Sequence, residues 1–248
     1  MRLEGKTALI TGSGRNIGRA TALALAKEGA NIIVNARSNK EEAEAVAQEV
    51  RDLGVGAIAA LADVADRAQV ADMVSKGVAE FGKIDILINN AAIRPHSAFG
   101  EASMEDWERV RGVVLDGAIY CTHAVISSMV KNQFGRVLFF CGDGSFTGGS
   151  DRAFVSAAKT GLIGLSRSLA QEYASDNIRV NIVSPGRIDT SRDLSWYPNV
   201  NMSNTEGIPL GRLGQPGEIA AACLFLVTDD CGFITGQTLH INGGAHFG

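Results

Sequence analysis

A glycine-rich turn set between a short apolar strand pattern and an amphipathic helix pattern constrains this chain most. Residues 7–11 are β-branched and apolar, and the run from Thr11 to Gly18 (TGSGRNIG) follows directly. Residues 17–28 then place apolar side chains on one helical face, and Gly29 is a helix stop. The same alternation continues along the chain. Short apolar runs at 31–35, 57–61, 84–89, 136–140, 178–183 and 238–241 are separated by longer stretches of helical spacing, such as 40–53, which stops at Gly54. Strands separated by helices return through right-handed crossovers, so the pattern predicts an α/β fold: a doubly wound parallel sheet with helices on both faces. No composition break, repeat or linker interrupts it, which predicts a single domain over residues 1–248. The one irregular stretch lies between Pro185 and Pro216 and contains Trp196-Tyr197-Pro198. A long excursion at that edge of a sheet suits a substrate lid, about residues 186–215, whose alternative is a surface loop of structural use only.

Charge and cysteine usage narrow the partners. A net charge of -4 and a pI near 5.6 argue against nucleic acid, which wants a basic stripe. Cys121, Cys141, Cys223 and Cys231 have no metal-ligand spacing, so they read as reduced, small apolar residues, and no metal is expected. The first residues carry charge up to Lys6 and only a short apolar run, with neither signal peptide nor membrane span. A cytoplasmic location is expected.

The turn itself points to a dinucleotide. Gly12 allows a tight turn, Gly14 lets backbone approach a pyrophosphate, and Gly18 packs helix against sheet. The helix N-terminus beyond it offers free N–H groups and the positive end of a dipole. TGSGRNIG resembles the TGxxxGxG turn of short-chain dehydrogenases/reductases, with Asn16 at the middle glycine. Asn tolerates positive φ better than most residues with a side chain. Asp63-Val64 resembles the family's adenine-contacting pair, and Asn89-Asn90-Ala91-Ala92 its NNAG strand end. Pro185-Gly186-Arg187-Ile188-Asp189-Thr190 resembles the PGxIxT segment that holds the nicotinamide carboxamide, and Thr235-Gly236-Gln237 through Gly243-Gly244 resembles the last strand. The resemblance covers essentially the whole chain and implies a Rossmann-type sheet. It also implies a cofactor site of Gly12, Gly14, Arg15, Asn16, Ile17, Gly18, Arg37, Asp63, Val64, Asn90, Lys159, Pro185, Gly186, Ile188 and Thr190. No acid ends the second strand, where NAD selection normally places one, whereas Arg15 and Arg37 suit a 2′-phosphate. NADP (NADPH) is therefore favoured over NAD.

The family's proton-transfer set is a Tyr, a Lys one turn later, a Ser and an Asn. Lys159, followed by Thr160-Gly161-Leu162, aligns with the lysine. Val155 stands at the tyrosine position, Gly142 at the serine and Val114 at the asparagine. Ser156, next to Val155, points away by about 100° of helix rotation. Lys159 is expected to hold the nicotinamide ribose. Substitute groups in cleft-bordering loops include Arg94, His96, Asp143, Ser145, Asp151 and Arg152. His96, which titrates near neutrality, is the leading replacement acid. Asp116, Tyr120, His123 and Cys141 read as structural.

Three functions follow in order of preference: an NADP-dependent oxidoreductase acting on a carbonyl or alcohol with an atypical proton donor; a catalytically inactive NADP-binding pseudoenzyme or regulatory subunit; and a non-redox lyase or hydrolase on the same fold. The expected partners are a small-molecule substrate and, as the resemblance implies, further copies of the chain in a homotetramer or dimer, with no nucleic acid and no membrane.

Overall fold

The computed structural model describes residues 1–191 and 203–247. Seven strands, β1 (Thr7–Ile10), β2 (Asn31–Ala36), β3 (Ala57–Leu61), β4 (Ile86–Asn89), β5 (Gly135–Phe140), β6 (Ile178–Pro185) and β7 (Thr238–Ile241), form one sheet in the order β3-β2-β1-β4-β5-β6-β7. Every neighbouring pair is parallel. This is the doubly wound arrangement expected from the alternation, and its order reverses between β1 and β4, the switch point beside which sheets of this kind place their ligand crevice.

Strand periodicity splits the core into two layers. Leu9, Ile33, Leu87, Val137 and Phe139 face α3 (Arg67–Phe81), α5 (Gly117–Lys131) and α7 (Ala153–Glu172). Ile10, Val34, Ile88, Leu138 and Phe140 face α1 (Asn16–Lys27), α2 (Lys40–Arg51) and α8 (Pro216–Val227). Burial on both faces explains why these strands read as continuous apolar runs.

Element ends lie within two residues of the sequence pattern. α2 starts where Asn39 accepts a hydrogen bond from the Glu42 amide. β4 begins at Ile86 rather than at 84 because the buried Asp85 carboxylate takes the Thr7 amide at 3.0 Å. A feature absent from the pattern is a π-helical turn, Gly112–Asp116, between α4 (Met104–Arg111) and α5. Among the described residues the stretch Met104–Lys131 is long and apolar enough to cross a membrane, yet its Val110, Val114, Cys121, Val125 and Met129 pack into the core.

Candidate active site

The glycine turn, Thr11–Gly18, is closely packed and held by hydrogen bonds. Gly12 has φ +62°, and a Cβ there would lie 3.1 Å from Ala91 Cα. A Cβ on Gly18 would lie 2.5 Å from the Gly12 carbonyl oxygen and 2.7 Å from Ser13 Cα. No side chain fits there, so helix and turn can close together. Asn35, buried at the end of β2, accepts from the Gly12 amide at 3.1 Å and donates to the Ala60 and Ala62 carbonyls. Asn90 Nδ2 donates to the Thr11 and Gly12 carbonyls at 2.9 and 3.0 Å, while Thr11 Oγ1 accepts from the Asn90 and Ala91 amides. The first turn of α1 carries no side-chain cap and no acidic residue, which leaves N–H groups and dipole for an anion.

Asn16 adopts φ +52°, the left-handed conformation that the turn demands of it. Its side chain also reaches Ser191, 175 residues away. Nδ2 donates to the Ser191 carbonyl at 2.8 Å, and Oδ1 accepts from the Ser191 amide and hydroxyl at 3.1 and 3.0 Å. The glycine turn is thereby latched to the residue that follows Thr190.

The remaining cofactor candidates line the same edge. Val64 is buried and Asp63, half-buried, accepts from the Ala65 amide. Gly186 N donates to the Ile241 carbonyl, and a Cβ on Gly186 would lie 2.7 Å from Asn242 Cβ, so the Pro185–Gly186 step is wedged against β7. Ile188 is buried and bridges to Gly214, while Thr190 Oγ1 donates to the Ile188 carbonyl. Arg15 and Arg37 are both exposed. The sequence reading missed one acid on this side: Glu42 Oε2 would stand 3.6 Å from a Cβ on Gly14.

At the other end of the cleft, α7 sets Val155 and Lys159 one turn apart, both buried. Lys159 Nζ donates at 2.8 Å to the Phe140 and Cys141 carbonyls, gripping the end of β5. Burial, then the positive charges of Arg94 and Arg152, pull its ammonium down to about 7. Cys141 donates its thiol to the Lys159 carbonyl, and burial pushes that thiol up, as for an inert core cysteine. Among the described residues, a Cβ on Gly142 would meet only the Pro185 carbonyl oxygen, at 3.6 Å. Val114 is buried inside the π turn, and Leu115 of that turn lies 3.2 Å from where a Cβ on Gly161 of α7 would sit. Val155 and Lys159 are thus gathered at the end of β5 beside Gly142, and Val114 is buried in the same core cluster as Val155.

His96 lies half-buried in the loop after β4. Asp116 pairs with Arg111 at 3.0 Å, Tyr120 is half-buried on α5, and His123 is exposed there. Asp143 has partners that no local pattern announced: it accepts from Asn242 Nδ2 at 3.1 Å and faces His240 Nδ1 at 4.0 Å. Burial lowers the His240 pKa, His246 lowers it further, and Asp143 opposes both. Trp196, Tyr197 and Asp193, from the expected lid, lie outside the described residues.

Comparison with known proteins adds a family to this geometry. A family model described as enoyl-(acyl carrier protein) reductase matches residues 12–246. A 3-oxoacyl-(acyl-carrier-protein) reductase of Staphylococcus aureus is 37% identical over 241 residues, covering 97% of this chain and 98% of that protein. The corresponding reductase of Thermotoga maritima is 37% identical over 244 residues, covering 98% and 99%. Among solved structures, a gluconate 5-dehydrogenase from Burkholderia cenocepacia in complex with NADP and tartrate superposes with a TM-score of 0.91 at 34% identity, covering 98% of this chain and 96% of that one. With matches of this length and identity, the chain belongs to the short-chain dehydrogenase/reductase family.

Proposed function

We propose that this chain is an NADP-dependent oxidoreductase that interconverts a ketone and an alcohol on a small molecule, using a proton source other than the usual helix tyrosine. The observation that carries the reading is the cradle at Gly12 and Gly18, which admits only backbone and stands ready-made at the switch point of the sheet. When bound, the dinucleotide supplies or accepts a hydride. The rest of the chemistry falls to the chain. Gly12, Gly14, Ile17 and Gly18 bring backbone to the pyrophosphate, and Asp63, Val64 and Asn90 flank the adenosine side. Arg15 and Arg37 take a 2′-phosphate, while Pro185, Gly186, Ile188 and Thr190 hold the nicotinamide end. Lys159 spends two N–H groups on the β5 carbonyls and keeps its third for the ribose. Val155 and Gly142 have no hydroxyl to give, so the alkoxide oxygen must meet another donor, for which His96 is the leading candidate.

The relatives' names span a 3-oxoacyl thioester and a sugar acid, and the reaction they share is what carries over here. We also infer a homo-oligomer in the cytoplasm. Among the described residues β7 is the last strand in the sheet order, and Leu239 on it and Phe233 and Phe247 in the segments flanking it are exposed. A second reading, a nucleotide-binding protein without turnover, is favoured by the same Gly142, Val155 and Val114.

The test is a titration with NADPH and NADH, followed by single-turnover assays on a panel of ketones. NADPH is expected to bind about tenfold tighter or more, as a charge-assisted phosphate contact allows, and Arg15→Gln/Arg37→Gln should erase that preference. Glu42 opposes the preference, so equal affinities would assign the ribose to it and sink the NADP reading. Tight binding without oxidation on any ketone would move the chain to the second reading. Turnover that survives His96→Ala would remove His96 from the chemistry.

A further inference from the structure

Asp143 begins a loop that is clasped from two sides. It follows Gly142 and precedes α6 (Gly144–Thr147), a single turn in which the Phe146 and Thr147 amides donate to the Asp143 carbonyl at 2.8 and 3.0 Å. On one side α7 holds the turn, since Thr160 Oγ1, one residue beyond Lys159, donates to the Ser145 carbonyl at 3.1 Å. On the other side stand the end of β7 and the segment after it. Asn242 is buried, and its Nδ2 donates both to Asp143 Oδ1 at 3.1 Å and to the His246 carbonyl at 2.8 Å. His240, two residues earlier and so on the same face, points Nδ1 at the same carboxylate oxygen from 4.0 Å. Three rings close the cluster. Phe146 lies 4.7 Å from the His240 ring and 5.8 Å from the His246 ring, and the two imidazoles are 5.1 Å apart.

The cluster is titratable at its centre. His240 Nδ1 is buried and makes no hydrogen bond, and 4.0 Å is too long for one to Asp143. Asp143 from the loop and His246 from the C-terminal segment are the ionisable groups that act on it. On its other side is a hollow of about 210 Å³, where Arg187, Arg212 and Glu218 share the lining with His240 and Asn242. Arg212 is spent on Glu218 at 2.6 Å, and Arg187 donates to the Asn204 and Glu206 carbonyls. Burial, then His246, hold His240 below its ordinary 6.5, and Asp143 opposes them. The folded cluster therefore favours the neutral ring. As pH falls below 6.5 and His240 takes up a proton, the packed arrangement loses stability relative to an opened one.

We propose that the C-terminal segment positions the loop beginning at Gly142, with Asn242 holding Asp143 and His240 making that hold depend on protonation. Asn242 and His240 are positioning residues: they act on the floor of the proposed site through Asp143 and Phe146. For turnover the proposal rests on the oxidoreductase reading above; the clasp itself rests on the contacts.

NMR on the full chain tests this by following the His240 ring and the amides of Gly144 and Phe146 from about pH 5 to 8. His240 should titrate below 6.5, and both amides should shift with the same midpoint. Asp143→Asn keeps an acceptor for Asn242 but removes the opposing charge, so the midpoint should fall further. His240→Phe keeps a ring against Phe146 and should remove that midpoint from both amides. Single-turnover reduction of a ketone should show an acid limb that moves down in Asp143→Asn and disappears in His240→Phe. A midpoint at or above 6.5, a midpoint unmoved by Asp143→Asn, or amides that keep it in His240→Phe would each overturn the clasp. An acid limb that persists in His240→Phe would overturn its part in turnover. The expected titrations in a chain that reduces no ketone with either nucleotide would instead overturn the oxidoreductase reading and leave the clasp standing.

Discussion

Around the glycine turn, the proposed nucleotide site is built from backbone: Gly12, Gly18 and Gly186 are sites where a Cβ would meet a neighbour within 3.1 Å. The side chains that matter there, Asn35 and Asn90, act by holding main chain in place. At the end of β5 and the start of α7, the proposed proton-transfer positions depend on side chains, and Gly142, Val155 and Val114 carry no hydroxyl or amide there. A backbone-built site tolerates almost no substitution at its glycines, because each is hemmed in by other main chain. A side-chain-built site can be emptied without disturbing the fold, since Val155 and Val114 only add to the core. The difference implies that nucleotide binding and proton transfer in this chain can be broken separately.

The largest effect is expected from Gly18→Val. Its Cβ would fall 2.5 Å from the Gly12 carbonyl oxygen, so turn and helix must separate. NADPH binding, measured by calorimetry, should drop below detection, with overpacking costing about 1–3 kcal/mol of stability. Retained binding would show that the turn is softer than its geometry.

Lys159→Met probes the other half through pH. Folding pulls the Lys159 pKa from 10.5 down to about 7, so between those values the unfolded chain holds more protons than the folded one. Stability therefore rises with pH across that window, and the burden of the buried charge is full below about pH 7 and gone above 10.5. Each pKa unit corresponds to about 1.4 kcal/mol, which makes the total several kcal/mol. The variant loses two hydrogen bonds at every pH but lacks this slope. Urea unfolding at pH 7 and pH 10 should show the natural chain gaining on Lys159→Met as pH rises. Parallel curves would mean that the ammonium is not depressed.

The same division governs what could be read from the sequence. Strands, helices and the glycine turn were legible because their signals are local: period, β-branching and a stop glycine. Asn16 was legible as a left-handed residue for the same reason, and the structure has it at φ +52°. Its bond to Ser191 was not, since the partner is 175 residues away. Nor was the pairing of Asp143 with Asn242, which depends on β5 and β7 ending at one edge. Lys159 could be placed on its helix face, but its acceptors are main-chain carbonyls, which carry no sequence signature. The π turn around Val114 inserts an extra residue into a helix whose apolar pattern reads as continuous.

Placing hydroxyls at positions 142 and 155 asks whether the proposed atypical proton source limits turnover. At Gly142 a Cβ would meet, among the described residues, only the Pro185 carbonyl, at 3.6 Å, which is ordinary van der Waals contact for Gly142→Ser. Val155→Tyr would project into the hollow shared with Pro95 and Arg152, one turn from Lys159. With NADPH and a ketone that the natural chain reduces slowly, the double variant should gain about 10²-fold in single-turnover rate, the low end of general acid/base help. No gain, with binding intact, would mean that the proton already comes from an adequate donor and that the two halves are less independent than they look.

The smallest effect is expected where a side chain intrudes on the backbone-built half. Asn16 holds φ +52°, which glycine adopts at no steric cost, and it makes three exposed hydrogen bonds to Ser191. Asn16→Gly trades relief of that conformation against loss of the latch, so its melting temperature should barely move. The kinetics should change more. If the latch ties the phosphate turn to the segment after Thr190 while nucleotide is bound, releasing it should speed NADPH dissociation roughly two- to fivefold, the weight of one net exposed hydrogen bond. Stopped-flow displacement would read this directly. An unchanged rate would leave the nucleotide half resting on main chain alone, whereas slower release would make the latch an obstacle that bound nucleotide must hold open.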